Sequence, residues 1–586
     1  MGRGETAVQQ QSAMATTNAD ALEAGRVTRW NHVKTFALVG AVLSLFFCEL
    51  IILVGGGTFA QRVASEIGGA GLTSWPSLAV IIFTVALAAP LSQASDYWGR
   101  KWILVIPNIG GVAGAIISAR ANSMGMYIAG FCVGGIGFGA QGLILAVISE
   151  VLPRRFRSWA QAAANIMNAL GSIFALTIGG YLVQSRPGGF RIYFYICAGI
   201  YAAAVVLVVL LYNPPPRELQ SLSFKKKVQA LDWPAYILLG SGTVLLCLGL
   251  LWAQNPYPWR DVHVLAPLLI GAVLLFLLAV YATRLKKDGL FHHALFHDRN
   301  FPISVVASAI EGMGYMTAAV FFPYALSVLQ AGQLSTYSQY LCQMVGFCAF
   351  GIACALSGLY IYKTKSVRET GVGTFVFFLI FMCVMASVNE RTPSANFWGY
   401  ILFYGIALGM ALVTFFTSAQ LATPPELIAT TTGICTGVRS LGGSIGLSII
   451  NAIFASGLSG NLGKKVTNAV VPLNLPQTSI GPLVGALSSG NVDALEEIPG
   501  ITPEIISAAG LAIKQAYVVG FRNVFICGAA FMAVGIILTL FMRNPHSEFN
   551  AKIDAPIDAS SDDGVENESK AVPEQQIEDS EIRGRV

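Results

Sequence analysis

Three ionisable residues lie inside long apolar stretches of the sequence and are the first candidates for chemistry. Glu49, Glu311 and Arg439 each have aliphatic and aromatic residues on both sides. A charge at such a position costs about 2.5–3.5 kcal/mol to place in the middle of a bilayer, so each one needs a reason. Desolvation raises the pKa of a carboxyl group in an apolar cavity, which allows the group to take up a proton and release it when the cavity changes exposure. The alternative is a structural carboxylate that is satisfied by a neighbouring hydroxyl or by an ion pair with Arg439.

A second cluster of charges lies in the segment Asp96-Tyr-Trp-Gly99-Arg100-Lys101. A glycine permits a tight reversal of the chain, and the surrounding charges can hold neighbouring helix ends together and release them. A plain basic loop would explain Arg100 and Lys101 but not the whole set. Glu150 lies at the end of another apolar run, where we expect a solvated carboxylate.

The elements that carry these residues are predicted to be membrane helices. Of the 586 residues, 54% are hydrophobic and only 11% are charged, and the mean hydropathy is +0.63, whereas ordinary soluble domains have about 25% charged residues. The apolar runs are close to the ~20 residues that a spanning helix needs, and inside lipid such a run must be helical. We therefore predict an all-α integral membrane bundle of about fourteen transmembrane helices, in the order six, two, six.

Polar and proline-rich breaks divide the chain into five parts. We predict an N-terminal cytoplasmic tail over 1–34, a six-helix bundle over 35–212, a linker with two additional helices over 213–300, a second six-helix bundle over 301–542 and a tail over 543–586. The second bundle includes a long extracellular loop over 457–517. The last tail is acidic and rich in serine, a composition typical of disordered cytoplasmic segments.

The distribution of lysine and arginine between the predicted loops sets the expected orientation. One side carries Arg100, Lys101, Arg154, Arg155, Arg157, Arg217, Lys225, Lys226, Lys227, Arg284, Lys286, Lys287, Arg299, Lys363, Lys365 and Arg368, whereas the other side carries only Arg62, Arg120, Arg186, Arg191, Arg260 and Arg391. Because short cytoplasmic loops are enriched in basic residues, we expect the first side and both chain termini to be cytoplasmic.

The segment from Asp96 to Lys101 resembles the loop between the second and third helices of the major facilitator superfamily. That loop has the pattern Gly-x-x-x-Asp-x-x-Gly-Arg-Lys/Arg, and here Ser92 takes the place of the first glycine. The resemblance assigns Asp96, Gly99, Arg100 and Lys101 to a cytoplasmic gate.

Two glycine-rich segments are similar to motifs of drug/proton antiporters within that superfamily. They comprise Gly171, Gly179 and Gly180 in the fifth predicted span, with Ala175 and Leu176 in place of a glycine and a proline, and Gly437, Gly442, Gly443 and Gly446 around Arg439 in the thirteenth. Close helix packing explains these glycines equally well. With fourteen spans, the chain most resembles the fungal fourteen-helix antiporter branch and, within it, the trichothecene efflux pump family.

One departure from the antiporter pattern affects the expected mechanism. Many drug/proton antiporters have an arginine four residues before a Gly-x-Gly in the fourth span, but here Phe131 precedes Gly135-Ile-Gly137. Proton coupling therefore falls to the remaining titratable groups. We expect Glu311, followed by Glu49, to carry it, with Arg439 as a further coupling or substrate-binding candidate.

The resemblance implies a proton-coupled exporter of small amphipathic compounds, such as toxins, secondary metabolites or drugs, that works by alternating access. The alternative is a proton symporter that imports a siderophore–iron chelate or another nutrient, because direction is not encoded in these motifs. We expect no enzyme activity, since the six histidines lie in loops, tails or span ends. The sequence has no phosphate-binding loop, so we expect no ATP-driven transport.

The expected partners are the small-molecule substrate, protons and the lipid bilayer. We expect no cofactor, no metal and no nucleic acid, and we expect a monomer. The ten cysteines lie within predicted spans without a CxxC pair, which argues against a disulfide framework or a zinc site. The family resemblance favours the plasma membrane, with the vacuolar membrane as the alternative.

Overall fold

The computed structural model describes residues 3–550 apart from 70–71, 74, 215–217, 254–256, 287–288, 474, 477–478, 484, 486–497 and 499, with the backbone alone for 3–33, 218–219 and 251. Within these residues, fourteen helices are long and apolar enough to cross a membrane. They are α1 (Lys34–Ile67), α2 (Trp75–Trp98), α3 (Arg100–Ala119), α4 (Met124–Val151), α5 (Arg154–Ser185), α6 (Gly189–Leu211), α7 (Trp233–Leu250), α8 (Val262–Leu285), α9 (Asn300–Leu329), α10 (Thr336–Thr364), α11 (Arg368–Ala386), α12 (Ser394–Leu421), α13 (Pro425–Leu473) and α14 (Pro503–Thr539). The predicted all-α membrane bundle of fourteen helices is confirmed.

The first six and the last six helices pack in the same pattern. In the first bundle α1 packs on α5, α2 on α4 and α3 on α6, and in the second bundle α9 packs on α13, α10 on α12 and α11 on α14. The pattern repeats with a shift of eight helices, so α9 corresponds to α1 and α13 to α5. The two bundles meet where α2 packs on α13 and α5 on α10.

The additional helices α7 and α8 form an antiparallel pair on the outside of this arrangement. They pack on each other, and α7 also contacts α2 and α13. Asp232, just before α7, is buried and accepts hydrogen bonds from the Tyr281 hydroxyl (2.9 Å) and the Leu290 backbone N–H (3.0 Å). These contacts fix the adjacent ends of both helices at one level.

Helices extend into two of the segments predicted as a tail and a loop. The tail predicted over 1–34 is helical from Arg3, because α1 is the apolar part of a helix that spans Arg3–Ile67. The loop predicted over 457–517 is helical at both ends, since α13 continues to Leu473 and α14 begins at Pro503. The extensions are more polar than the membrane spans, so a prediction based on apolar runs ends the helices too early.

The extensions of α13 and α14 enclose a small hydrophobic cluster separate from the main core. Val466 and Val470 of α13 pack with Ile505 and Ala509 of α14, and Leu483 from the intervening segment is also buried there. The predicted loop over 457–517 therefore contains a packed core among its described residues.

The C-terminal tail is also partly folded. Residues His546–Glu548 form a short 3₁₀-helix, and Phe549 is buried against the main core. The prediction of a disordered tail over 543–586 is therefore wrong for residues 543–550, and residues 551–586 lie outside the described part of the chain.

Candidate functional site

Glu49 is completely buried in the middle of α1. The 1.5 Å rise per residue places it about 22 Å from Lys34 along the helix, deep inside a bilayer about 30 Å thick. Gln141 of α4 donates a hydrogen bond from Nε2 to the Glu49 Oε2 atom at 3.4 Å, and the Oε1 atom has no hydrogen-bond partner among the described residues. Within the same residues Glu49 forms no ion pair, so it can accept a proton without breaking one.

Glu311 is in a different situation, because it forms a bidentate ion pair with Arg439. Arg439 donates from Nε to Glu311 Oε2 at 2.6 Å and from Nη2 to Oε1 at 3.0 Å. The ring of Tyr315 lies against the same guanidinium, with its centroid 4.6 Å from Cζ. A planar, two-bond pair of this kind is among the strongest polar contacts between side chains. For Glu311, the geometry therefore favours the alternative of a structural ion pair with Arg439.

The predicted gate segment forms a buried charge cluster at the end of the bundle that carries the basic loops, called the basic end below. Arg100 lies 3.5 Å from Asp96 and also contacts the carboxylate of Glu150 at the end of α4. Gly99 has a φ of 87°, a left-handed conformation that favours glycine. Glu150 is only 1% exposed, so the expectation of a solvated carboxylate there is wrong. Its partner Arg100 comes from the neighbouring α3, which the local sequence cannot show.

Lys101 does not join this charge cluster. Its Nζ donates hydrogen bonds to the backbone carbonyl of Val209 (2.8 Å) and to the Asn213 side chain (2.6 Å) at the end of α6. The four predicted gate residues therefore separate into a buried network around Asp96 and Arg100 and a lysine that ties α3 to α6.

Comparison with known proteins places this arrangement in a family. A family model described as the fungal trichothecene efflux pump (TRI12) matches residues 8–574. The chain belongs to this family. The sequence resemblance is thus confirmed, and the protein is an efflux pump of the major facilitator superfamily.

Individual relatives agree with the family assignment. The trichothecene efflux pump TRI12 of Fusarium sporotrichioides is 23% identical over 471 residues, which cover 78% of this chain and 77% of the relative. The efflux pump FUS6 of Gibberella fujikuroi is 23% identical over 525 residues, which cover 87% of this chain and 90% of the relative. The MFS-type transporter prx5 of Penicillium rubens is 24% identical over 488 residues, which cover 80% and 87%.

Solved structures show the same fold at low sequence identity. A bacterial homolog of the human lysosomal transporter Spinster has a TM-score of 0.52 and 15% identity, with 87% of this chain and 98% of that chain covered. The proton:xylose symporter XylE has a TM-score of 0.50 and 13% identity, with 86% and 96% covered. At this identity the comparison shows the major facilitator fold and nothing about substrate.

The two bundles of the efflux pump are joined at the basic end by buried polar groups. Arg157 of α5 is fully buried and donates from Nη1 to the backbone carbonyl of Gln420 in α12 at 2.6 Å. Ser158 donates to the carbonyl of Gly358 in α10 at 3.1 Å, and Gln161 Nε2 lies 3.3 Å from Gln420 Oε1. These contacts join the two bundles at the basic end.

The folded part of the C-terminal tail crosses the same interface. Asn544 Oδ1 accepts a hydrogen bond from the backbone N–H of Val367 at 3.0 Å, which anchors the tail to the second bundle. Glu548 then forms an ion pair of 2.8 Å with Arg154 at the start of α5 in the first bundle. Residues 543–550 therefore bridge the two bundles of the pump.

The predicted glycines of α5 lie where neighbouring side chains approach closely. A Cβ atom at Gly171 would lie 2.8 Å from the Phe47 carbonyl oxygen, and one at Gly180 would lie 2.9 Å from the Tyr340 ring. A π-helical turn over Ala175–Gly179 interrupts α5 at the centre of this segment. Within this turn, a Cβ atom at Gly179 would lie 2.6 Å from the ring of Tyr193.

The glycines of α13 differ among themselves. A Cβ atom at Gly442 would overlap the backbone carbonyl of Ala309 in α9. One at Gly446 would lie 2.7 Å from Met313, and one at Gly443 would lie 2.8 Å from Met316. At Gly437 the nearest atom would be 3.8 Å away, in ordinary van der Waals contact. Three of these four glycines therefore allow α13 to approach α9 closely, and the Glu311–Arg439 pair lies across this same contact.

Several residues of the site are not identifiable from the sequence as members of a network. Arg157, Gln161 and Gln420 join the two bundles, but a basic residue near a span end and isolated glutamines in apolar runs are ordinary features of membrane helices. The sequence gives one indication of this network: a glutamine in an apolar run needs a hydrogen-bond partner. The partner becomes known only when the helix packing is known.

Proposed function

We propose that this efflux pump exports small amphipathic toxins or secondary metabolites in exchange for protons, by alternating access. The family match and the names of the relatives support export as the direction. No observation on this chain favours the alternative of a symporter that imports a siderophore–iron chelate.

Glu49 is the observation that carries the proton-coupling proposal. Its Oε1 atom has no hydrogen-bond partner within the described chain, and its only hydrogen bond is a long one to the neutral Gln141. Protonation therefore removes a buried charge without leaving a cation unpaired. Protonating Glu311 would break its bidentate pair and leave Arg439 as an uncompensated charge at mid-span. We therefore place the coupling proton on Glu49 and assign Glu311 and Arg439 to holding α9 against α13.

Alternating access requires contacts between the bundles that can break and form again. At the basic end, Arg157, Ser158 and Gln161 provide such contacts, and the Arg154–Glu548 pair reinforces them. The cluster of Asp96, Arg100 and Glu150 joins α2, α3 and α4 within the first bundle, so it would keep that bundle rigid as the bundles move. In the proposed cycle, proton binding and substrate release occur with the basic end closed.

The chemistry inside the membrane suits neutral amphipathic substrates. Glu49 protonated and Glu311 paired with Arg439 leave the described interior without net charge at mid-span. The named relatives include a trichothecene efflux pump. We propose that this chain carries compounds of similar size and polarity across the plasma membrane, with the basic end in the cytoplasm.

The test is transport in liposomes that contain the purified full chain, with a radiolabelled trichothecene as the probe. The wild type should move the probe against its gradient when a pH gradient is imposed. Glu49→Gln should abolish this uphill transport and its pH dependence, because the variant lacks the proton site. It should retain downhill exchange of the probe, since its apolar contacts are intact.

Glu426→Gln is the matched control, because Glu426 is exposed at the start of α13 and has no role in the proposal. It should keep wild-type uphill transport. The coupling assignment fails if Glu49→Gln transports uphill with wild-type pH dependence. The proposed substrate class is wrong if the folded wild type does not exchange the trichothecene probe at all.

A further inference from the structure

We propose that a surface at the basic end of the two additional helices binds anionic phospholipid headgroups and thereby influences the adjacent gate segment. This surface, called the linker surface below, is formed by the short helix Phe224–Ala230 and by the adjacent ends of α7 and α8. Its apolar members are Phe224, Trp233 and Leu285, and its basic members are Lys225, Lys226, Arg284 and Lys286.

The apolar members of the linker surface are exposed. Phe224 is 72% exposed, Trp233 49% and Leu285 75%. Large apolar side chains that extend beyond the ends of membrane helices need a partner, and in the headgroup region that partner is lipid. Phe224 and Val228 lie four residues apart and therefore share one side of the short helix.

The three elements of the surface are held at one level by direct contacts. The indole Nε1 of Trp233 donates a hydrogen bond to the Val228 carbonyl at 2.8 Å, which ties the start of α7 to the short helix. Lys286, just after α8, lies 3.5 Å from the buried carboxylate of Asp232. Because α7 starts and α8 ends at the same side of the bundle, the exposed aromatic and aliphatic side chains lie at one depth.

The charge of the surface favours an anionic partner. Lys225, Lys226 and Arg284 are exposed, and within the described chain none of them forms an ion pair. Basic residues next to exposed apolar side chains, immediately beyond a membrane helix, match an anionic bilayer surface: the lysines reach phosphate or carboxylate groups and the apolar groups enter the acyl boundary. A soluble anion would satisfy the lysines but would leave Phe224 and Leu285 in water.

The linker surface contacts the gate segment directly. The Phe224 ring meets the Trp98 ring edge to face, with 6.2 Å between centroids. Gln220, just before the short helix, lies 3.1 Å from the position that a Cβ atom of Gly99 would take. A lipid that fixes Phe224 in the interface therefore also restrains the reversal between α2 and α3, next to Asp96 and Arg100.

The binding test is native mass spectrometry of the purified full chain in detergent, with phosphatidylserine or phosphatidylcholine added. The wild type should retain more phosphatidylserine than phosphatidylcholine. The double variant Lys225→Gln/Lys226→Gln should bind phosphatidylserine more weakly by roughly fivefold for each lysine removed, with unchanged phosphatidylcholine binding. Neither measurement depends on a transport substrate, so the outcome is separate from the proposed function.

The matched control is Lys464→Gln/Lys465→Gln, which removes the same charge from the extension of α13 at the opposite end of the bundle. This variant should bind both lipids as the wild type does. Equal retention of the two lipids by the wild type, or an equal loss in the control variant, would overturn the proposal. It would also be overturned if inorganic phosphate at the lipid concentration displaced phosphatidylserine, or if the surface instead joined two copies of the chain.

The link to the gate segment has its own readout. Hydrogen exchange of the backbone from Tyr97 to Lys101 should slow when phosphatidylserine is added to the wild type, and it should not change in the Lys225→Gln/Lys226→Gln variant. Identical exchange with and without the anionic lipid in the wild type would show that the surface and the gate are independent.

Discussion

The ion pair between Glu311 and Arg439 is expected to act as a single structural unit. Removing one partner of a buried pair leaves an uncompensated charge and costs roughly 3–5 kcal/mol, whereas replacing both partners is often close to neutral. We therefore expect Glu311→Gln alone to lower the thermal stability of the purified pump strongly. The double variant Glu311→Gln/Arg439→Gln should recover most of the loss. Thermal unfolding in detergent, followed by size-exclusion chromatography, measures both.

The same experiment with Glu49→Gln provides the contrast between the two glutamates. Because Glu49 has no cation partner among the residues that the structure describes, neutralising it should leave the unfolding temperature at or above that of the wild type. If Glu311→Gln were as stable as the wild type, or if the double variant were less stable than either single variant, the pair would not have the structural role assigned to it.

At the scale of residues, the sequence identified the unusual charges but not their partners. Glu49, Glu311 and Arg439 were predicted because charges inside apolar runs are rare and costly. Which carboxylate pairs with Arg439 depends on the contact between α9 and α13, and no local pattern encodes that contact. The wrong expectation for Glu150 has the same origin, since its burial and its contact with Arg100 come from tertiary packing and not from its own helix.

At the scale of helices, we predict that alanine has opposite effects on stability at two glycines of α13. Gly442→Ala would place a Cβ atom in overlap with the backbone carbonyl of Ala309, so α13 must move away from α9. Overpacking of this kind typically costs roughly 1–3 kcal/mol. Gly437→Ala has room for the methyl group and should stabilise the helix by about 0.5–1 kcal/mol. The unfolding temperatures of the two variants, compared with the wild type, test both predicted changes in stability.

The two positions are five residues apart in one helix, so each substitution controls for the other's effect on helix propensity. An equal effect of both substitutions would mean that close packing of α13 on α9 is not what these glycines provide. A loss of transport in Gly437→Ala at normal stability would instead point to a role of that position in substrate passage.

Helix existence was predictable for the whole bundle, whereas helix ends were not. Apolar runs of about twenty residues are a strong signal because lipid leaves the backbone no other way to satisfy its hydrogen bonds. The extension of α13 to Leu473 and the early start of α14 at Pro503 lie where that constraint no longer applies. There the ends are set by tertiary packing, as in the cluster around Val466 and Ile505.

At the scale of the whole molecule, the repeated packing explains why corresponding helices have different tasks. Glu49 in α1 and Glu311 in α9 occupy equivalent helices, yet α13 contributes Arg439 and the equivalent α5 provides glycines and a π-helical turn. Within the described residues, one bundle therefore has a carboxylate outside any ion pair and the other has a neutral ion pair. In the proposed mechanism, this asymmetry would let a single proton site respond to the movement of two similar bundles.

The orientation of the pump in the membrane gives the last prediction. The basic loops lie at one end, and the extension of α13 lies at the other: Lys464 follows Pro425 by 39 residues, or about 58 Å of helix, well beyond a hydrocarbon layer about 30 Å thick. Since basic loops stay in the cytoplasm, a cysteine at Lys464 should react in intact cells with a thiol reagent that cannot cross membranes. A cysteine at Arg299, exposed at the basic end, should react only after the membrane is permeabilised. Both variants are made with Cys383→Ser, because Cys383 is exposed in α11. Labelling of Arg299→Cys from outside, without labelling of Lys464→Cys, would invert the topology and place the proton-releasing and proton-binding sides of the proposed cycle in the opposite compartments.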